Sequence, residues 1–563
     1  MTEGEPVSRR WTLLGLGALA ALFLLSLYLA WNRIIQVDEA QNVMMARLIA
    51  FHRTGEFMAS APLMLLGPVI WIAKGAGSSV DLFHQVRLLF AGWMWVNLVL
   101  MVKASGVRLR SREGLFLLLL GATLEPLWDY GFEIRHDNLL LTGVLALWLL
   151  LRPLGKPFPK AHLLAGALAV LMQLVAFKAF LYSVPVIGFF LVFPPMPSRD
   201  RWRPAIETLA GVVLGLLLGW LFYRVAGAWP LFVESFKVGA RFSVGGVERF
   251  APWGTLHRLL LQVPLLVGGA LAVLVVPLLR LRGGPRERLR QLFRDPFTPE
   301  WIFLVICLAA FLANPTPFPY NLVLLVPPLF IGVLRHRAPL VKAIGESAQG
   351  WLLWPLLASA HLLPWLTGTP RHFDLTNERQ MRVATLAESL TDPSRHRVFD
   401  GSGLVPTRDP IGYHWLIHTF TIRPLSDGTW PSVRSQLADR EVPVILPNYR
   451  TNWLPEPDQQ FIADHYLSLA QDFLLVGARL EKGEGRWMAL ATGNYLLRLQ
   501  GAGEAWIEVD GLRVPPGPFH LERGPHRFRF PASQTLTVIW CGPQGQSLPS
   551  LENTRQPLFI NWY

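Results

Sequence analysis

Cysteine is scarce in this sequence, which has only Cys307 and Cys541 in 563 residues. Two cysteines, one of them inside an apolar run, do not make a disulfide framework. The sequence also lacks a Gly-x-x-x-x-Gly-Lys-Ser/Thr phosphate loop, a His-Glu-x-x-His motif, a Cys-x-x-Cys pair and a Gly-x-Ser-x-Gly elbow. Thiol redox chemistry and nucleotide hydrolysis are therefore not indicated.

Charged residues are also few, at 16% of the chain, whereas hydrophobic residues reach 52% and the mean hydropathy is +0.34. Soluble domains average roughly 45–50% apolar residues even when glycine is counted. The composition therefore predicts a polytopic membrane protein. The net charge of +13 does not indicate nucleic-acid binding, because the basic residues fall in short clusters between apolar runs.

The apolar runs predict eleven transmembrane helices. The first, residues 11–31, follows Arg9-Arg10, which places the N-terminus in the cytoplasm by the positive-inside rule. Residues 57–77 are predicted to lie along the outer interface, because counting them as a span would put the basic cluster that follows outside. The long run 161–195 is divided into two helices that turn near Lys178. The other spans are predicted at 85–103, 114–129, 138–152, 161–176, 179–195, 205–226, 257–281, 300–313, 319–334 and 348–366.

The chain is predicted to divide into three domains. Residues 1–366 form the transmembrane domain, which includes an external loop at 32–84, and the more polar residues that follow are external. Helical patterns at 377–390 and 458–470, with short apolar strands at 442–446 and 473–477, predict an α/β domain at 367–485. Alternating strands such as 494–499, with turns such as Asp510-Gly511 between them, predict a β-sandwich at 486–563.

An acidic pair, Asp38-Glu39, follows the first span directly. Apolar residues then recur at helical spacing, so Asp38 occupies the place of an N-cap on an amphipathic interfacial helix. An acidic residue at the outer mouth of an apolar bundle is also suited to take a proton from an acceptor hydroxyl. Helix capping and catalysis are compatible, because a cap would hold the carboxylate in place.

This arrangement of a retained first span, an outward loop that opens with Asp-Glu, and a later span opened by Arg87 resembles the GT-C superfamily of membrane glycosyltransferases. The similar branch contains the protein O-mannosyltransferases and the lipid A aminoarabinose transferases. The resemblance implies about eleven transmembrane helices of GT-C type, an inverting transfer from a polyprenyl-phosphate sugar, and Asp38 as general base, with Glu39 beside it. It covers roughly residues 10–366.

Residues 133–141 look like the family's Arg-Pro-Asp segment, with His136 in place of the proline. The resemblance implies a phosphate contact by Arg135, a catalytic role for Asp137, and places for Glu133 and His136 in the substrate groove. An arginine at this surface suits bidentate phosphate binding. Capping of the next membrane helix by Asp137-Asn138 is the alternative.

Further cations are implied as contacts of the donor phosphate. Lys178 looks like the lysine that opens the sixth span of these transferases, although a solvated hairpin lysine is an equal alternative. Arg87 and Arg241, the latter in an external loop over about 227–256, are the other phosphate candidates. Tyr320, in the aromatic-proline stretch 314–329, is a candidate for the substrate groove.

No cofactor is implied with certainty, although some relatives bind a divalent metal ion, for which His84 and His136 are the candidate ligands. The expected partners are the polyprenyl-phosphate sugar, an acceptor glycan, lipid or protein, and membrane lipids. The expected location is the bacterial inner (plasma) membrane, with the C-terminal domain periplasmic or extracellular. A lipid transporter or flippase, and a non-catalytic glycan-assembly protein, are the alternatives. Against the transporter, the charged residues gather at the outer face and no inverted repeat is evident.

Overall fold

The structure is a computed structural model of the full chain. It describes residues 9–53, 67–152, 158–193, 202–233, 237, 251–280, 284, 287, 291, 298–336, 350–502, 504–548, 551 and 556–560. These residues form two compact units. Of the described residues, those within 9–33 and 86–375 belong to the first unit, and those within 34–53, 67–85 and 376–560 belong to the second.

The first unit is helical. Its helices are α1 (Arg9–Asn32), α5 (Arg112–Ala122), α6 (Glu125–Tyr130), α7 (His136–Leu151), α8 (Ala161–Gln173), α9 (Phe180–Val192), α10 (Arg203–Val225), α11 (Trp253–Gln262), α12 (Pro264–Arg280), α13 (Thr298–Ala313), α14 (Leu322–Arg335), α15 (Gly350–Gly368) and α16 (Arg371–Asp374), together with most of α4 (Ser79–Ala104). Short 3-10 helices lie at Phe177–Ala179 and Pro319–Asn321.

Three of the described helices are long and apolar enough to cross a membrane: α1, α4 and α10. A fourth is added if α11 and α12, which meet at an angle of 108°, count as one broken span. Pro264 explains the bend, because a proline disfavours the helical conformation of the residue before it and Val263 has φ −140° and ψ 56°. Six shorter apolar helices accompany these. The protein is a multi-pass membrane protein, and the count of eleven spans stays a prediction.

The turn predicted near Lys178 is confirmed. Helix α8 ends at Gln173, the 3-10 turn Phe177–Ala179 follows, and α9 begins at Phe180. The extended backbone of Ala176, with φ −157° and ψ 132°, interrupts the helix. Lys178 is therefore held on a short turn between two apolar helices.

Close helix packing in the first unit depends on glycine and on aromatic stacking. Gly211, Gly215 and Gly219 recur at every fourth residue of α10, and a Cβ at Gly211 would lie 2.0 Å from the carbonyl oxygen of Leu163 in α8. Small residues let two membrane helices approach this closely. Elsewhere the ring of Trp148 in α7 stacks on Phe303 in α13 with 4.2 Å between the ring centroids.

The second unit combines helices with two sheets. Its helices are α2 (Val37–Ala50), α3 (Gly67–Gly75), α17 (Glu378–Leu390), α18 (Thr419–Ser426), α19 (Val433–Asp439) and α20 (Glu456–His465). Its strands are β1 (Val398–Phe399), β2 (Val444–Ile445), β3 (Tyr466–Ala470), β4 (Phe473–Leu480), β5 (Glu484–Ala489), β6 (Gly493–Gln500), β7 (Ile507–Val509), β8 (Leu512–Val514), β9 (Gly517–Leu521), β10 (Gly524–Arg529) and β11 (Thr535–Trp540).

One sheet has seven strands in the order β1-β2-β4-β11-β6-β9, with β3 beside β4, and the other has the order β5-β10-β7-β8. Among the strands that the structure describes, β1 and β2 are the one parallel pair. The predicted turn at Asp510-Gly511 is confirmed, since it joins β7 to β8 with positive φ at both residues, as a two-residue hairpin requires.

Strand β4 pairs with β2 on one side and β11 on the other. The larger sheet thus contains strands from both sides of the boundary predicted at 485/486, and the three-domain division stays a prediction.

One element was predicted wrongly. Residues 458–470 were expected to form a single helix, but α20 ends at His465 and residues 466–470 form β3. This strand pairs antiparallel with β4, beginning with Tyr466 opposite Val476. Tyr466 and Ala470, at the two ends of β3, are buried, and pairing with β4 overrides the helical pattern of the sequence. The coarse prediction of a helical protein with a C-terminal sheet region is confirmed.

Candidate active site

Asp38 lies in the first turn of α2. The N-cap of this helix is Gln36, not Asp38, which corrects the position predicted from the sequence. The carboxylate of Glu39 accepts a hydrogen bond from the backbone N–H of Gln36 at 2.9 Å, which is the Glu half of a capping box. Glu39 is completely buried, whereas the side chain of Asp38 keeps 24% of its surface exposed. A solute can therefore reach the Asp38 carboxylate. The buried Glu39 carboxylate caps the N-terminus of α2.

Arg450, from the C-terminal part of the chain, contacts Asp38. Its Nη2 atom donates to Asp38 Oδ1 at 3.1 Å, and its Nη1 atom donates to the carbonyl oxygen of Ile417 at 2.9 Å. The neighbouring His418 is electrostatically coupled to both residues. Burial lowers the pKa of His418 to about 3, and the positive charge of Arg450 acts in the same direction, against Asp38. His418 is therefore neutral at neutral pH. Of the two residues Arg450 and His418, Arg450 is the one whose side chain is positively charged beside Asp38.

Asp137 is the centre of a second cluster, which belongs to the first unit. The Nζ atom of Lys178 forms an ion pair with Asp137 Oδ1. The Nε atom of Arg135 lies 3.4 Å from Asp137 Oδ2, and His136 Nε2 lies 3.7 Å from the same oxygen. Only 1% of the Asp137 side chain is exposed. The sequence predicted these residues as site members, and the fold brings them together.

Tyr320 and Asn321 complete this cluster. The guanidinium carbon of Arg135 lies 3.6 Å from the centroid of the Tyr320 ring, and Lys178 Nζ lies 5.5 Å from it. Lys178 Nζ also donates to Asn321 Oδ1 at 2.6 Å, and that oxygen accepts from Asn314 Nδ2 at 3.2 Å. The 3-10 turn Pro319–Asn321 therefore orients both cations.

The charge of this second cluster is positive in sum. Arg135 and Lys178 supply two positive charges, Asp137 supplies one negative charge, and their side chains are 6%, 15% and 1% exposed. Helix α7 also begins at His136, with Arg135 as N-cap, so the positive end of a helix dipole adds to the field. Asp137 is not the cap of α7, and the side chain of Asn138 donates instead to the carbonyl oxygens of Tyr130 and Glu133. A buried site with excess positive charge suits a phosphate.

Glu133 and Arg87 both contact Arg33. A carboxylate oxygen of Glu133 lies 3.8 Å from Nη2 of Arg33, whose Nη1 also donates to the carbonyl oxygens of Trp128 and Asp129. Arg87 is 1% exposed, and its Nη1 atom donates to the carbonyl oxygen of Arg33. Both residues therefore fix the end of α1, and their roles in the groove and at the phosphate stay predictions.

The remaining candidates concern a metal ion and the donor loop. His84 belongs to the second unit and His136 to the first. Within the described residues, no group of three or more His, Cys, Asp or Glu side chains is placed to hold a metal ion. Asp137, the carboxylate beside His136, is paired with Lys178. Arg241 lies outside the residues that the structure describes.

Sequence reasoning missed Arg450, Asn321 and Asn314. Arg450 lies 412 residues from Asp38 in the chain, and no local pattern links them. The two asparagines lie within the stretch 314–329, which was selected for its aromatic residue and prolines. Two asparagines seven residues apart in a proline-rich segment are a signal that could have been used, because prolines leave carbonyl groups that need donors.

The fold of the chain is similar to that of a solved aminoarabinose transferase, which is a member of the GT-C superfamily that the sequence resembles. The chain is similar to the crystal structure of ArnT, the aminoarabinose transferase, from Cupriavidus metallidurans bound to undecaprenyl phosphate, with a TM-score of 0.53, 13% sequence identity, and coverage of 84% of this chain and 98% of that one. It is also similar to ArnT of the same organism in the apo state, with a TM-score of 0.52, 13% identity, and coverage of 83% and 97%. No protein-family model matches the sequence, and no curated protein matches it.

Proposed function

We propose that this protein is a membrane glycosyltransferase that moves a sugar from a polyprenyl-phosphate donor to an acceptor hydroxyl. The observation that carries the proposal is the pair of cations, the partly buried Lys178 and the buried Arg135, that meet around Asp137 on a GT-C fold. These cations would hold the donor phosphate and stabilise the negative charge that grows on it as the sugar leaves. The ArnT structure that this fold resembles contains undecaprenyl phosphate, which supports a donor of that class.

Asp38 is the proposed general base. It would take the proton of the acceptor hydroxyl as the oxygen attacks the anomeric carbon, while the bond from that carbon to the phosphate breaks. Attack from the face opposite the phosphate inverts the configuration. Asp38 is suited to this step because its side chain is 24% exposed, so an acceptor hydroxyl can reach it.

An apolar groove in the first unit supports a lipid-linked donor. The groove has a volume of about 410 Å³ and is lined by nine residues, among them Leu174, Leu217, Trp220 and Tyr223. Leu174 directly follows α8 and precedes Lys178 by four residues. A phosphate at Lys178 would therefore place the first isoprene units of its chain beside the groove wall.

The proposed topology follows the charge pattern. Eleven spans put the N-terminus in the cytoplasm and the C-terminal sheet region outside, so transfer would occur on the outer face of a bacterial inner membrane. The acceptor is a glycan, lipid or protein hydroxyl that is presented on that face.

Binding of undecaprenyl phosphate to the purified protein tests the donor class. We expect saturable binding, monitored by native mass spectrometry, that Leu217→Glu weakens by about tenfold or more, or roughly 1.4 kcal/mol, because a carboxylate in the groove opposes an apolar chain. Leu218→Glu is the matched control, since Leu218 is 43% exposed on the same helix and does not line the groove. A farnesyl phosphate, with its short chain, should be less affected by Leu217→Glu. Equal binding of undecaprenyl phosphate by the wild type, Leu217→Glu and Leu218→Glu would contradict the proposed path of the lipid chain.

A further inference from the structure

Arg450 is a buried cation that reaches the proposed base from a distant part of the chain. Its side chain is 3% exposed, and its Nη2 atom lies 3.1 Å from Asp38 Oδ1. A buried guanidinium is costly unless it is paired and hydrogen-bonded. The Asp38 carboxylate supplies the opposite charge that stabilises the buried guanidinium, and this ion pair links the C-terminal part of the second unit to the start of α2.

The backbone around Arg450 fixes where its side chain points. The N–H of Arg450 donates to Asn448 Oδ1 at 2.9 Å, and Asn448 Nδ2 donates to the carbonyl oxygen of Asp400 at 2.7 Å. Nη1 of Arg450 is held by the carbonyl oxygen of Ile417 at 2.9 Å. The guanidinium is thus oriented before it meets Asp38, which reduces the entropy lost in positioning the carboxylate.

The same segment also contacts the helix that carries Asp38. The buried carboxylate of Asp400 accepts hydrogen bonds from the backbone N–H groups of Ser402 and Gly403 at 2.7 and 2.6 Å. Gly403 has φ +93°, and a Cβ there would lie 2.6 Å from Cβ of Met44 in α2. The turn at residues 400–403 therefore packs directly on α2. The contacts of this turn and of Asn448 thus position both α2 and the guanidinium of Arg450.

We propose that Arg450 is a positioning residue for the transfer reaction, which holds the Asp38 carboxylate in one orientation toward the acceptor. The inference rests on the proposed function, in which Asp38 is the base. It makes the C-terminal region of the chain a part of the active site and not only an appended domain. The charged and titratable groups in this arrangement are Arg450 and the neutral His418 opposite Asp38, and Glu39 on the helix of Asp38 itself.

A matched control pair lies in the same unit. Arg379 Nε donates to Asp472 Oδ2 at 2.7 Å, and the side chains are 5% and 4% exposed. This is also a buried Arg–Asp pair, but Asp472 is not a candidate base. A purely structural loss on removing Arg450 should therefore be reproduced by Arg379→Ala.

The test compares Arg450→Ala, Arg450→Lys and Arg379→Ala as purified full-length proteins, with polyprenyl-phosphate sugar as donor. We expect Arg450→Ala to lower kcat about 10- to 100-fold, as a misplaced catalytic group does, with the donor KM within about twofold. Millimolar guanidinium should restore part of this kcat, and Arg450→Lys should keep part of it. Arg379→Ala should lower the melting temperature. Its kcat per folded molecule should fall much less than that of Arg450→Ala, and added guanidinium should not change it.

Full kcat in folded Arg450→Ala would overturn the inference. If Arg450→Ala does not fold, the outcome rests on Arg450→Lys, where kcat equal to wild type and insensitive to guanidinium overturns it in the same way. Failure of the proposed function is distinguishable, because the wild-type protein would then transfer no sugar from any donor, whereas full transfer activity in Asp38→Asn would refute only the assignment of the base. An inactive Asp38→Asn together with a fully active Arg450→Ala defeats only the inference.

Discussion

Asp38→Asn is expected to reduce sugar transfer by about 10²–10⁴-fold, the usual contribution of a general base. Asparagine has nearly the same shape as aspartate, and its side-chain oxygen still accepts from Arg450, but it cannot remove a proton. The donor KM should stay close to that of the wild type, because Asp38 has no proposed contact with the donor phosphate. The measurement is kcat and KM for release of polyprenyl phosphate by purified protein.

Glu39→Gln is the control for Asp38→Asn. Glutamine can still accept the hydrogen bond from the N–H of Gln36 that the structure assigns to Glu39. We therefore expect near-normal transfer and a change in stability of at most about 1 kcal/mol, the usual magnitude of a cap. The reverse pattern, with an active Asp38→Asn and an inactive Glu39→Gln, would move the base from Asp38 to Glu39.

Lys178→Ala is expected to lower kcat/KM for the donor by about 10²–10³-fold, which is the loss measured when one donor to a developing negative charge is removed. The lysine contacts Asp137 and Asn321, so it would act on the phosphate in both the bound donor and the transition state. Both KM and kcat should therefore change, unlike the result for Asp38→Asn. Steady-state kinetics over a range of donor concentrations separates the two effects.

Lys160→Ala provides the comparison for Lys178→Ala. Lys160 is an exposed residue that precedes α8, whereas Lys178 lies on the turn that follows α8, so Lys160→Ala tests the loss of one positive charge beside the same helix. Its removal should leave the donor kinetics unchanged. Equal losses in Lys160→Ala and Lys178→Ala would indicate a general effect of charge and would contradict the assignment of a phosphate site at Lys178.

Much of the helical architecture could be predicted because an apolar run is a local signal. The break near Lys178 and the strands around residues 473–477 and 494–499 were found in this way. Strand β3 could not be found, since residues 466–470 carry a helical pattern and become a strand only by pairing with β4. The N-cap was misplaced by two residues, because Gln36 is a less common cap than aspartate.

The candidate site could be predicted in part. Arg135, Asp137, Lys178 and Tyr320 were selected by their resemblance to family motifs, and the fold brings their side chains together. Asn321 and Arg450 were not selected, because a positioning residue has no motif and its partner is distant in the chain. Asp38 and the Asp137 cluster belong to different units, so their joint action on one substrate remains a proposal.

The most direct test of the central claim is turnover with a panel of polyprenyl-phosphate monosaccharides. Purified wild-type protein should release polyprenyl phosphate from at least one of these donors and transfer its sugar, with inverted anomeric configuration, to a hydroxyl acceptor from cell envelope extracts. Nucleotide sugars should give no transfer. Movement of the intact lipid across proteoliposomes, with no release of polyprenyl phosphate from any donor, would contradict a transferase and favour a flippase.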